Sequence, residues 1–175
     1  MKNKNLVNHD SEVLDVIDEN GNVIGVASRR ECHTNPQMIH RTAHFTLIDK
    51  KNNKILLTQR SFTKDCDPGK FCFLGEHALS GETPSEAMIR GAKEEIGVNI
   101  TNPIQLGKKI FSYQQQTELA TFYIAELKDE EIVFDKNELV QILWLSLEDL
   151  YSSELDISSI SKYWIENAQW EKIFN

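Results

Sequence analysis

The chain has 175 residues, of which 40% are hydrophobic and 26% charged, enough for one packed core and too few for two. Its formal net charge of -8 argues against nucleic acid or a membrane surface as a partner, because both demand a basic face. No apolar run approaches the length of a membrane span, and three cysteines without CxxC spacing suit a reducing compartment, so the expected setting is cytoplasmic.

In chain order, residues 1–12 carry no apolar run, which predicts a loose N-terminal segment ahead of the folded domain. Val13 to Ile17 and Val23 to Val26 flank Glu19-Asn20-Gly21-Asn22, a hairpin signature because Asn-Gly supplies the left-handed turn conformation. Arg41 to Asp49 alternates about Phe45 and Leu47, and Lys51-Asn52-Asn53 then turns the chain into Ile55 to Thr58, a second hairpin. Ser61 to Lys70 is polar and contains Pro68-Gly69, hence loop.

Thr83-Pro84-Ser85-Glu86 opens a helix: Thr83 caps it, Pro84 suits the first helical position and Glu86 completes a capping box. The helix should close at Gly97, with Ala87, Met88, Ala92 and Ile96 as its apolar stripe. Strand-like runs follow near Ile104 to Tyr113, Ala120 to Leu127 and Val140 to Leu145, and then a terminal helix from Ser158 to Trp170. This order predicts an α+β fold with a mixed sheet, in a single domain over residues 1–175.

The central helix and the turn before it carry the chemistry. Glu76-His77-Ala78-Leu79-Ser80-Gly81-Glu82 is followed, after a seven-residue gap, by Arg90-Gly91-Ala92-Lys93-Glu94-Glu95-Ile96-Gly97-Val98. This resembles the Nudix box, G-x5-E-x7-R-E-U-x-E-E-x-G-U with U aliphatic, and Glu82, Arg90, Glu94, Glu95, Gly97 and Val98 match it. An amphipathic helix with a charged solvent face is the plainer account of any Glu-Glu pair, but these fixed spacings favour the box. The resemblance implies the Nudix fold, a mixed β-sheet sandwiched between α-helices. It also implies helix carboxylates that hold Mg2+ or Mn2+ against a diphosphate; hard cations want oxygen ligands, and their charge offsets that of the phosphates.

Two positions depart from the pattern. Glu76 stands where it has its leading glycine, and Gly91 stands where it has the first glutamate after arginine, a residue that commonly binds metal in the hydrolases. Glycine inside a helix also costs about 1 kcal/mol relative to alanine.

Leu14-Asp15-Val16-Ile17-Asp18-Glu19-Asn20-Gly21, followed by Val23-Ile24-Gly25, looks like the opening of type I isopentenyl-diphosphate isomerases and their hydrolase relatives, and the similarity runs from Leu14 to Leu150. It implies that His33, His40 and His77 meet as metal ligands, joined from a later strand by Gln116 and by Glu118, which also transfers protons. That donor set suits Zn2+, Mn2+ or Mg2+. Arg60 and Lys64 match the R-x3-K that grips diphosphate in the isomerases, and Arg29 matches a further basic contact; arginine binds phosphate bidentately and lysine as a mobile charge. Tyr113 and Trp164 are aromatic candidates for a pocket wall, although such residues more often pack in a core. His44, on a strand face, has an ordinary structural reading, as does His9. The isomerases carry a cysteine two residues before the metal histidine; Gly75 stands there, and strand alternation is expected to turn the nearby Cys72 into the core.

The catalytic candidates are therefore Glu94, Glu95 and Glu118, with Arg29, Arg60, Lys64 and Tyr113 at substrate and His33, His40, His77, Glu95, Gln116 and Glu118 at metal. Three functions are in play, in this order: metal-dependent hydrolysis of a small-molecule diphosphate, isomerisation of isopentenyl diphosphate, and a Nudix binding domain without turnover. Loss of the isomerase cysteine counts against the second and Gly91 against the first. Retention of Glu95, Glu118 and the histidines favours catalysis over the third.

Overall fold

The computed structural model describes residues 9–64, 66–128 and 130–174. Strands β1 (Val13–Ile17) and β2 (Val23–Ser28) form the first hairpin; Gly21 takes a φ of 89° in its turn, and the Asp18 carboxylate accepts the Asn20 and Asn22 N–H groups. Of the segment expected to be loose, residues 1–8 lie outside the described residues. The remainder is tied down, because His9–Ser11 makes a 3-10 turn and the Arg29 N–H donates to the Glu12 carbonyl at 2.7 Å. Helix α1 (Arg29–Cys32), one turn long and not foreseen, forms because Ser28 and Glu31 make a capping box. Strands β3 (Ile39–Asp49) and β4 (Lys54–Arg60) form the second hairpin, with Asn53 at a φ of 52°.

Two short strands, β5 (Phe71–Cys72) and β6 (Leu74–His77), follow the polar loop and are separated by Phe73. Helix α2 (Pro84–Ile96) has the foreseen boundaries: the Thr83 and Glu86 capping box opens it, and Gly97, at a φ of 72°, closes it. Each such cap contributes about 1 kcal/mol. Strands β7 (Ile104–Tyr113), β8 (Gln116–Glu126) and β9 (Leu139–Leu145) lead to helices α3 (Leu147–Ser152), α4 (Ser159–Asn167) and α5 (Glu171–Phe174). The terminal helix thus stops before Trp170. Ala168 is extended, which lets the Trp170 indole bury itself and donate to the Ile165 carbonyl at 3.0 Å.

Among the described residues the strands form one nine-stranded mixed sheet. β3 is its hub, running parallel to β8 on one side and antiparallel to β1, β6 and β4 on the other. Alternation along β3 sends Ala43, Phe45 and Leu47 to the face covered by Ala87, Met88 and Ala92 of α2. The opposite face packs Ile48, Phe122 and Ile124 under Trp164 of α4 and Trp170. A mixed sheet between helices is the architecture the box implied, and burial of each large apolar side chain stabilises it by about 1.5–3 kcal/mol. Toward the other end of that second face the same alternation presents His40, Thr42 and His44 from β3 with Gln116 and Glu118 from β8, so apolar core gives way to polar side chains along a single face. Among the described residues no helix is long and apolar enough to cross a membrane.

Candidate metal and diphosphate site

The polar end of this face borders a cavity of about 290 Å³. His33 caps the end of α1, His40 lies in β3 and His77 ends β6, paired across the sheet with Thr42. Their rings converge at centroid separations of 4.9, 5.3 and 5.4 Å, with His33 Nε2 2.8 Å from His77 Nε2. The potential ligand atoms of the three all lie within 4.8 Å of one another. Nitrogens sharing a tetrahedral zinc stand about 3.4 Å apart, so the set needs only small rotations to close on an ion. His40 is fully buried, and neither ring nitrogen has a hydrogen-bond partner among the described residues, an arrangement that a ligand would complete. Burial holds His33 down at about 4, helped by the Arg29 charge, and burial also lowers His40 and His77. All three are neutral, the metal-binding form of imidazole.

Beside them, Glu118 is 2% exposed. Burial works to raise its carboxyl, but His44, joined by His40 and Thr42, outweighs burial and leaves it below the usual range. Its Oε1 lies 2.7 Å from His44 Nε2, and its Oε2 accepts the Tyr113 hydroxyl at 3.3 Å. Burial, with the Glu118 charge, raises the Tyr113 hydroxyl. Glu118 thus engages His44 and Tyr113 and lies directly across the ladder from His40. Gln116 is 3% exposed, lines the cavity and has an unpartnered Oε1.

The box forms another wall. Glu82 receives Arg90 Nε at 3.0 Å and Nη2 at 2.9 Å, and Arg90 Nη2 also donates to the His77 carbonyl at 2.8 Å, so this pair fixes the turn that presents His77. Glu95 lines the cavity, and burial, reinforced by Glu76 and then Glu138, pushes its carboxyl up to about 8. Arg29, Arg60 and Lys64 line the same space, with Lys64 ion-paired to Glu138. Basic side chains and carboxylates therefore meet in one cavity.

One expectation needs correction, and two core readings hold. Glu94 does not join the cavity: its side chain is 61% exposed and pairs with Arg90 at 3.4 Å, because neighbouring helix positions point roughly 100° apart. Trp164 packs in the core, stacked on Phe122. Cys72 is buried as expected, with its thiol raised by burial, yet it also lines the cavity. Alternation holds through Phe73, which shares the second core with Phe71 while Leu74 faces α2, so Cys72 and Gly75 point to opposite sides of the sheet as expected. Sequence reasoning passed over His44, whose signal was the two-residue spacing His40, Thr42, His44. It also left Glu76 as a mere departure and missed Glu138, for which no local signal exists.

A mixed sheet between helices, with box carboxylates lining a cavity beside α2, defines a Nudix-type domain. The NUDIX domain family profile matches residues 38–168, and the chain belongs to that family. It is 35% identical over 88 residues to an isopentenyl-diphosphate delta-isomerase of Streptomyces avermitilis, a stretch that spans 50% of this chain but only 44% of that protein. It is 30% identical over 152 residues to an uncharacterized Nudix hydrolase of Nostoc sp., covering 83% of this chain and 84% of the relative. A crystal structure of a Deinococcus radiodurans protein superposes with a TM-score of 0.72 at 22% identity, covering 90% of this chain and 99% of that one, which shows a shared fold.

Proposed function

We propose that the protein is a divalent-metal-dependent Nudix hydrolase that cleaves a diphosphate-containing small molecule. The observation that carries this reading is the cavity wall where Glu95 stands with Arg60 and Lys64, a cation-holding carboxylate beside phosphate-binding charges. Mg2+ or Mn2+ bound there supplies charge neutralisation at the phosphates and activation of water. Glu95, an oxygen donor, fits such a hard cation, whereas His33, His40 and His77 fit Zn2+ or Mn2+. In this reading Arg60 and Lys64 grip the diphosphate and Arg29 adds charge at the rim. Glu118 accepts a proton while Tyr113 and His44 hold its carboxylate in place, and Gln116 offers an amide oxygen. A cytoplasmic setting and a single domain over residues 1–175 belong to the same reading; the first rests on three cysteines with no disulfide among them.

Isomerisation of isopentenyl diphosphate is the second reading, favoured by the buried Glu118 across the ladder from His40. A panel of diphosphates assayed with Mg2+, including isopentenyl diphosphate in deuterated water, separates the two. Release of phosphate or a monophosphate is expected. Deuterium uptake into an allylic product without phosphate release overturns hydrolysis in favour of isomerisation, and tight binding with neither product favours a binding domain.

A further inference from the structure

The two departures from the box meet in space. A Cβ built on Gly91 would lie 3.0 Å from Cγ and Oε2 of Glu76 and 3.1 Å from its Cβ, so the Glu76 side chain occupies the volume into which any residue at 91 would grow. Gly91 lies within α2 and its φ is not positive, so the backbone does not require glycine there. Glu76 pairs across the sheet with Ala43, on the face that packs against α2, and this places its side chain over the helix. We propose that Glu76 supplies from β6 the metal-holding carboxylate that the box otherwise carries on its helix at position 91, so that the two departures are one exchange. The proposal rests on the reading of the box as a magnesium site.

An alternative duty for Glu76 is to neutralise Arg90, whose Nη1 lies 3.5 Å from Oε2. Arg90 does not need it: Glu82 already binds that guanidinium through two hydrogen bonds, and Glu94 adds a contact at 3.4 Å. Glu76 instead stands beside Glu95 on the cavity wall, so the two carboxyl groups can share one cation. A separate observation also points to a ligand. Gln116, 3% exposed and bordering the cavity from the histidine face of the sheet, has an Oε1 without a hydrogen-bond partner among the described residues. Glu76 and Glu95 both offer the hard oxygen ligands that Mg2+ prefers, which imidazole does not.

The test is calorimetric titration of Mg2+ alone into transition-metal-free full-length protein, comparing wild type, Glu76→Gln, Glu95→Gln and the exchange Glu76→Gly/Gly91→Glu. Loss of the Glu76 charge is expected to weaken Mg2+ binding by about tenfold or more. The exchange should return it to near the wild-type affinity, because a glutamate at 91 grows into the vacated volume. Gly91→Glu alone, crowded against Glu76, should melt below the exchange variant. If Glu95→Gln weakens Mg2+ binding and Glu76→Gln leaves it unchanged, the exchange is overturned while the magnesium reading stands. If neither variant alters Mg2+ binding, both fall. Should Glu76→Gln fail to fold, the exchange variant decides alone: a folded exchange protein that does not bind Mg2+ overturns the proposal.

Discussion

On one wall of the cavity burial strips charge from His33, His40 and His77; on another it pushes the Glu95 carboxyl up to about 8. The physical cause is the same, since a charged form is disfavoured away from water. The consequences are opposite. A neutral imidazole is already a ligand, so the histidine wall stands ready at neutral pH. A protonated carboxyl is a poor ligand, so the carboxylate wall must release a proton before it can hold a cation, and occupancy there is tied to pH.

The sharpest way to break this comparison is Glu95→Gln, which removes the cation-holding charge while nearly keeping the shape. Diphosphate turnover is expected to fall on the order of a hundredfold. The metal-free melting temperature should stay level or rise, because a repelled carboxylate has gone. Unchanged turnover would make the box a relic of the fold.

His77→Ala tests the other wall. Metal affinity at the histidine site, read as Zn2+ content after dialysis against limiting metal, is expected to drop by about 10- to 100-fold. Equal and negligible content in wild type and variant removes that site.

The pH dependence of metal-free melting sharpens the contrast. His33 falls from 6.5 unfolded to about 4 folded, so the unfolded chain takes up protons first as the solution is acidified. The stability tied to it is therefore lost as pH drops from 6.5 toward 4. Glu95 rises from 4.5 to about 8, so its contribution is present at low pH and is lost as pH climbs through that window. His33→Ala should flatten the acid side of the profile and Glu95→Gln the alkaline side. Mg2+ affinity should rise with pH and level off above about 8.

The smallest expected effect is that of Gly75→Cys. Its Cβ would meet the His44 ring at 3.4 and 3.5 Å, an ordinary contact, so melting should barely move. In a hydrolase the variant should also change little; measurable deuterium uptake into isopentenyl diphosphate would instead expose an isomerase scaffold that had lost its thiol.

Local signals made much of this legible in the sequence. Thr83, Pro84, Glu86 and Gly97 bound α2 because caps act within a few residues, and Asn20-Gly21 and Asn53 turn hairpins for the same reason. The convergence of His33, His40 and His77 was legible only through family resemblance, since nothing local joins a helix cap to two strands. What escaped depends on three-dimensional neighbours. Glu138 arrives from the loop before β9 and pairs with Lys64, and Glu76 is explained only by the helix position it covers. Glu94 was misread because a sequence motif lists neighbours side by side, whereas a helix turns them apart.

The parallel pairing of β3 with β8 also governs when the cavity comes into being. His40 finds Glu118 across a ladder that cannot close until β4 to β7 and α2 have been laid down between them. Contacts so distant along the chain form slowly, after the entropy of a long loop has been overcome. A nascent chain that has just completed α2 therefore owns its box, its three histidines and its basic residues, but neither Gln116 nor Glu118. At that stage the imidazoles and helix carboxylates stand with one wall missing, and the Gln116 and Glu118 side of the cavity exists only once β8 has docked.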